Sequence, residues 1–283
     1  MIWAAPIRTL VLCALSAAVV SLGVGFGFSA AAQEAPPVEE IVHRANLVTY
    51  FQGRDGRAQV AMTITDKQGR KRERQLTMLR RDAAQTDALA DGAYRGGQKY
   101  YVYFQRPADV NKMAFLVWKY LDRDDDRWLY LPALDLVKRI AAADKRTSFV
   151  GSDFFYEDVS GRSIDLDIHK LVDVTANYYV LRNTPKDPGA VEFAYYDMYI
   201  HTKTFLPVRV EYYDRKREKY RVYDALEVKR IQDYLTVTKA RMSNLQTGGS
   251  TLVRYSGVRY DMGLPDDIFT ERFLRRAPQE YLR

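Results

Sequence analysis

Between residues 57 and 260 the chain alternates apolar and polar residues with a period of two, in one segment after another. Ala58, Val60, Met62 and Ile64 share one side of a strand over 57–65, and Gln59, Ala61, Thr63 and Thr65 share the other. The turn residues Asp66 to Gly69 follow. The return strand, 72–80, alternates Leu76 and Met78 with Gln75 and Thr77, which predicts an antiparallel hairpin. The same rhythm predicts strands over 100–105, 113–120, 127–131, 178–182, 191–201, 207–213, 220–228, 234–242 and 251–260, divided by turns rather than helices. Hairpin after hairpin makes an antiparallel meander. With nine or ten long strands, accumulated twist forces such a sheet to curl or to split into layers.

A single strongly curved sheet needs a cover for its concave face, and two segments qualify. Val38, Ile41, Val42, Ala45 and Val48 recur at spacings of three and four, so a helix over 38–51 has one apolar stripe. Pro36 and Pro37 suit its start, Glu39 and Glu40 complement its dipole, and Gly53 ends it. The second candidate is 132–175, which carries apolar residues without a sustained period of two, with a short helical turn expected later over 268–274. The chain is 47% hydrophobic and 28% charged, enough apolar material for a large core, and its 21 Tyr and 12 Phe against 3 Trp are strand composition. The expected class is therefore mainly β (α+β), in one domain over 33–283.

The first 32 residues are of another kind. Arg8 is the only charge before an apolar run over 10–28, and Ala30, Ala31 and Ala32 supply small residues for cleavage, as in a secretory signal peptide. An uncleaved membrane anchor is the competing reading. The single cysteine, Cys13, follows Leu12 and so lacks the small preceding residue of a lipoprotein acylation site. Loss of the leader would leave no cysteine, hence no disulfide, no thiol nucleophile and no cysteine metal site. An exported protein with a formal charge of +7 could meet anionic headgroups or an acidic partner, whereas nucleic acid is not expected.

Catalytic raw material is thin. His43, His169 and His201 form no HExxH or HxH pattern, and no GxSxG elbow, P-loop or GxGxxG occurs, so neither an enzyme nor a cofactor is expected. Asp122, Asp124 and Asp126 resemble the start of a calcium loop, but Arg127 and Ala133 stand where Gly and Glu are required, so no metal is expected. The basic run Arg215, Lys216, Arg217 and Lys219 either protects a sheet edge as a solvated turn or docks on an anionic membrane or a partner.

The most specific stretches are DDRWLYLPAL at 125–134, VKRI at 137–140, SFVGSDFFYED at 148–158 and LPDDIF at 264–269. Together they resemble the bacterial outer-membrane lipoprotein-sorting protein family, LolA-like carriers often associated with resistance-nodulation-division (RND) lipid exporters. The resemblance implies an open antiparallel half-barrel with helices over its concave face, acyl chains held between sheet and helices, and no catalytic residues. On that basis the candidate lipid-binding residues are Phe115, Trp118, Trp128, Tyr130, Phe149, Phe154, Phe155 and Tyr156. Within 127–131, Trp128 and Tyr130 share one face and Leu129 and Leu131 the other, so either pair could line the cavity. The 148–158 segment is expected to be a mobile lid or a permanent plug. The expected function is a monomeric periplasmic carrier of a lipid or lipoprotein acyl chain that works with an inner-membrane RND exporter. Its rivals are an accessory interaction module with a self-filled core and, with little support, a hydrolase.

Overall fold

The computed structural model describes residues 35–83 and 96–283. The expected leader over 1–32 lies outside the described residues.

Helix α1, Val38–Tyr50, begins directly after the paired prolines and buries Ile41, Val42 and Ala45 on one stripe, as the spacing predicts. That stripe packs against Leu181, Ile200 and Phe205.

Among the described residues, thirteen strands follow in a single open, curved, antiparallel sheet. The first half comprises β1 (Asp55–Thr65), β2 (Lys71–Asp82), β3 (Gln98–Arg106), β4 (Ala114–Lys119), β5 (Asp126–Leu131) and β6 (Leu136–Arg139). The second comprises β7 (Asp167–Val174), β8 (Tyr178–Pro185), β9 (Phe193–His201), β10 (Pro207–Asp214), β11 (Lys219–Ile231), β12 (Tyr234–Asn244) and β13 (Gly249–Tyr260). The order is β6-β5-β4-β3-β2-β1-β13-β12-β11-β10-β9-β8-β7, so the halves meet where β1 pairs with β13, Val60 opposite Tyr255 and Met62 opposite Val253. The β1–β2 hairpin turns at Asp66, whose carboxylate accepts the backbone N–H of Gln68 and of Arg70, both at 3.0 Å.

Strands β6 and β7 were not among the segments expected from the period, and they are the two edges of the sheet. Edge strands bury little: only Asp167 of β7 is buried, and Ile168 is 59% exposed. With no buried face to select for alternation, no period of two is written into them.

Because β6 and β7 are consecutive in the chain yet lie at opposite edges, the connection over 140–166 must travel from one edge to the other. It contains the short helix α2 (Tyr156–Ser160) and packs on the face of the sheet that buries Val60, Leu76, Val102, Phe104, Phe115 and Val253. Phe149 is its anchor, with ring centroids 5.7 Å from Phe104, 5.4 Å from Phe115 and 5.5 Å from Tyr156. Burying one such ring contributes about 1.5–3 kcal/mol, with roughly 0.5–1.5 kcal/mol more per aromatic pair.

The opposite face of the first half is covered by the C-terminal segment. Leu264, Ile268, Phe269, Leu274 and Leu282 pack on Leu79, Tyr101, Leu116 and Trp128. The Trp118 indole donates to the Phe269 carbonyl at 2.7 Å, and the Tyr101 hydroxyl to the Phe273 carbonyl at 2.8 Å. This segment carries a 3-10 turn (Asp266–Phe269), α3 (Arg272–Arg275) and α4 (Gln279–Leu282), a longer assembly than the single turn expected. Burial on both faces explains why β3 and β4 read as continuous apolar runs, YYVYF and AFLVW, rather than alternations.

Gly161 ends α2 at φ +76° and ψ 154°, a region open essentially to glycine alone. A Cβ there would sit 2.3 Å from the Tyr50 ring. Gly161→Ala is expected to cost at least about 2 kcal/mol through backbone strain and displacement of Tyr50, read by urea denaturation. An unchanged midpoint would show that the 161 backbone is not held in this conformation.

Candidate functional site

Between the sheet, α1 and the 140–166 connection lies a cavity of about 410 Å³, within the roughly 300–1,000 Å³ typical of ligand sites. Its sheet wall is built by alternate residues: Ala58, Val60 and Met62 of β1, Leu76 and Met78 of β2, Tyr196, Met198 and Ile200 of β9, Val253 and Tyr255 of β13. Period-two strands direct these side chains to one face, and the curvature of the sheet brings β2 and β9 to the same space. Val42, Ala45, Val48 and Tyr50 of α1 and Phe149, Phe154 and Val159 of the connection supply the other wall. Aliphatic, methionine and aromatic groups dominate. Methionines give such a wall adaptable shape.

Most charged groups around the cavity are matched, while Arg57 and Arg259, opposite one another on β1 and β13, line it without a carboxylate partner among the described residues. Arg146 reaches Glu157 at 2.5 Å and Glu192 at 2.6 Å. Burial disfavours the Arg146 charge, but its hydrogen bonds to Glu192 and the field of Glu157 outweigh that and raise its pKa. Arg162 pairs with Asp167 at 2.9 Å, and fully buried Arg221 pairs with Asp158. Arg80 donates to the Tyr50, Gln52 and Gly53 carbonyls, which ties the end of α1 to β2. Behind the connection, Lys119 donates to the Ser160 and Gly161 carbonyls at 2.8 and 3.1 Å, and burial pulls its pKa down to about 8. His169 lies at the cavity wall with both ring nitrogens engaged, one to the Asn183 side chain at 2.7 Å and one to the Ile164 carbonyl at 2.8 Å.

The aromatic residues singled out in the sequence divide into three groups. Phe149 and Phe154 line the cavity. Phe115 and Tyr156 sit in the same apolar cluster and contact Phe149, one layer behind the wall. Phe155 lies between guanidinium groups, 4.0 Å from that of Arg221 and 5.1 Å from that of Arg146. Trp118, Trp128 and Tyr130 belong to the other face with the C-terminal segment, while Leu129 and Leu131 point to the cavity side. The two Trp rings contact each other edge to face, 5.0 Å apart.

The bend in 148–158 falls at Val150 and Gly151, both at positive φ. The helical turn starts at Tyr156, where Asp158 accepts the Phe155 N–H at 2.7 Å and caps the turn, while the Thr251 hydroxyl donates to Asp153 at 2.7 Å. Arg215, Lys216 and Arg217 lie in the turn between β10 and β11, outside the cavity, where the Asp214 carboxylate accepts the backbone N–H of Lys216 and Glu218 at 2.9 Å. Lys219 opens β11 and pairs with Glu211 at 2.8 Å. Near the acidic turn, Asp124 pairs with Lys145 at 2.9 Å, Asp125 with Arg127 at 2.6 Å and Asp126 with Arg123 at 3.1 Å.

Sequence reasoning did not single out the lining residues of β8 to β13, Tyr212, Tyr223 and Tyr255 among them. The alternation gave each strand two faces, and only the neighbour across the space distinguishes one from the other.

A family model described as "uncharacterized protein"-like matches residues 96–276. Among solved structures, a DUF1329 family protein from Desulfovibrio piger is 29% identical, with a TM-score of 0.73 over 85% of this chain and 100% of that one. A protein from Vibrio parahaemolyticus described as an outer membrane lipoprotein-sorting protein domain is 28% identical, with a TM-score of 0.72 over 84% and 96%. A LolA superfamily protein from Nitrosomonas europaea shares the fold at 18% identity, with a TM-score of 0.63 over 84% and 100%. No curated protein matches the chain.

Proposed function

We propose, from the premise that the chain belongs to the LolA-like outer-membrane lipoprotein-sorting protein family, that it is a non-catalytic periplasmic carrier for the acyl part of a lipid or lipoprotein. The observation that carries this reading is the cavity between the sheet and α1 with the 140–166 connection, mainly apolar in its lining and still open. A core filled by its own side chains would leave no such space, which is why the carrier is favoured over an interaction module. In this reading α1 and the connection are the cover over the concave face, and Phe149 and Phe154 are the members of the sequence-derived set that touch cargo. Lipid burial is worth about 0.8 kcal/mol per methylene, so a chain of about sixteen carbons needs a shelter worth on the order of 12 kcal/mol to cross water.

Release from the leader would place the carrier in the periplasm as a monomer. An RND-type inner-membrane exporter is the proposed partner, with the exposed basic turn at Arg215, Lys216 and Arg217 as a docking element toward it or toward anionic headgroups. Native mass spectrometry of the protein purified from membranes tests the carrier directly. An adduct that organic extraction identifies as acyl-bearing is the expected result. A bare chain, before and after incubation with lipid vesicles, would defeat the proposal.

A further inference from the structure

Over β8 to β10 the charged side chains that point away from the cavity are paired. Arg182 meets Asp197 at 2.8 Å, and Arg209 meets Glu211 at 2.7 Å and Asp224 of β11 at 2.8 Å. Further along β11, Lys229 meets Glu227 at 2.8 Å. The pairing stops at β12 and β13. Val253 and Tyr255 line the cavity with Arg254 between them, and Ala240 is buried and Met242 lines the cavity with Lys239 and Arg241 at the alternate positions, so these three cations point to the outer side. Lys239, Arg241, Arg254 and Arg259 have no carboxylate partner among the described residues. The register sets Lys239 directly opposite Arg254, and Arg57 directly opposite Arg259. Like charges so placed repel, so two such pairs on adjoining strands cost the fold stability and concentrate positive potential over one patch. From Leu226 to Tyr260, six Lys and Arg stand against two carboxylates, Glu227 and Asp233.

The cavity comes to the surface beside this patch. Its lining includes Leu235 and Val237 of β12 and Val258 of β13. Val237 is directly opposite Val228 of β11, and directly opposite residues share a face, so Val228, 40% exposed, extends the lining beyond its cover. The β11–β12 register shifts on both sides of Glu227, which leaves Leu226 without an opposite residue and 42% exposed. Apolar side chains in solvent, with Lys229, Arg230 and the unmatched cations around them, are the composition that rests on a bilayer, hydrocarbon among the headgroups and cations at the phosphates. An acidic protein surface would match the cations alone. A bilayer of anionic lipid matches both the cations and the exposed Leu and Val.

We propose that the lip formed by Leu226 and Val228 with Lys239, Arg241, Arg254 and Arg259 is where the protein docks on an anionic bilayer, and that the cavity opens onto the headgroups there. The inference rests on the carrier reading and adds the surface through which cargo is exchanged. It is a different surface from the Arg215–Arg217 turn, which is left to the exporter. Docked in this way, an acyl chain passes from bilayer to cavity along Val228 and Val237 without crossing water.

The test measures partition of the full chain onto vesicles of phosphatidylcholine and onto vesicles of equal parts phosphatidylcholine and phosphatidylglycerol, by sedimentation at low and at high salt. The apolar leader is common to every variant, and its contribution is read on the neutral vesicles. The wild type is expected to prefer the anionic vesicles by about a hundredfold or more at low salt, as four cations at about fivefold each imply, and to lose most of that preference at high salt. Lys239→Gln with Arg254→Gln should cut the preference by roughly twentyfold, and because the change removes a repelling pair the variant is expected to fold. The same measurement on Arg215→Gln, Lys216→Gln, Arg217→Gln decides between the two basic surfaces, and a larger loss at the turn than at 239 and 254 overturns the lip. A wild type indifferent to phosphatidylglycerol also overturns it and leaves the patch to an acidic protein. Uptake of a fluorescent acyl ligand separates the two readings: uptake without anionic preference sinks the lip and keeps the carrier, and anionic preference without uptake does the reverse.

Discussion

Replacing Ala58 with Trp is expected to abolish acyl-chain binding while leaving the protein folded. Ala58 is a small residue of the sheet wall on β1, opposite Met78 of β2, and faces the cavity next to Val60 on the stripe that continues to Met62. An indole at this point projects into the space a hydrocarbon chain would fill. Because the space is empty rather than close-packed, the cost in stability should stay at the low end of the roughly 1–3 kcal/mol that overpacking imposes on a filled core. Binding, by contrast, should fall by at least about a hundredfold, since displacing four methylenes at about 0.8 kcal/mol each removes about 3 kcal/mol. Titration with a fluorescent fatty-acyl ligand, alongside thermal unfolding, reads both quantities. Retained affinity in a folded variant would mean that cargo, if any, lies elsewhere.

How much of this could be read from the residues depends on what each strand faces. Strands β1 and β2, with one buried face toward the cavity, write their period plainly in Ala58, Val60, Met62 and Leu76, Met78, and they stand where the alternation puts them. In β5 the alternation separated Trp128 and Tyr130 from Leu129 and Leu131, yet both pairs are apolar, so nothing in the sequence chose the inward pair. The choice is made by the C-terminal segment: Leu264, Phe269 and Leu274 arrive from residues more than a hundred positions away and claim the Trp face. That long-range packing leaves only a local sign, the unusual run of apolar residues on both sides of β3 and β4. The edges β6 and β7 left no sign, because solvent imposes no pattern. The cavity itself was legible in kind, as apolar strand faces beneath an amphipathic helix, but the tyrosines of β10, β11 and β13 in its lining were not. A tyrosine in a strand looks the same whether it faces the cavity or the other side of the sheet.

Arg221→Met is expected to be the most destabilising single change in the molecule, and its outcome bears on whether 148–158 moves. Arg221 is fully buried, pairs with Asp158, donates to the Asp153 carbonyl at 3.0 Å and stacks 4.0 Å over Phe155. Removing it leaves the Asp158 carboxylate largely buried without its counter-ion, a loss of about 3–5 kcal/mol, where exchanging the whole pair for apolar groups is nearly neutral. Tm should therefore fall by on the order of 10 °C in Arg221→Met. The second substitution Asp158→Leu should recover much of that loss, less about 1 kcal/mol for the cap that Asp158 provides to the Phe155 N–H. The same arithmetic governs movement. A lid that lifts on every transport cycle would have to separate this pair and withdraw Phe149 from Phe104, Phe115 and Tyr156. Those combined costs favour a fixed wall over 149–158, with Phe154 as its cargo-facing surface and the entrance elsewhere along the cavity rim. Amide hydrogen exchange decides the matter. Protection at residues 153–158 equal to that of β4 fits a fixed wall, whereas exchange in the wild type that outpaces global unfolding would make the segment a lid.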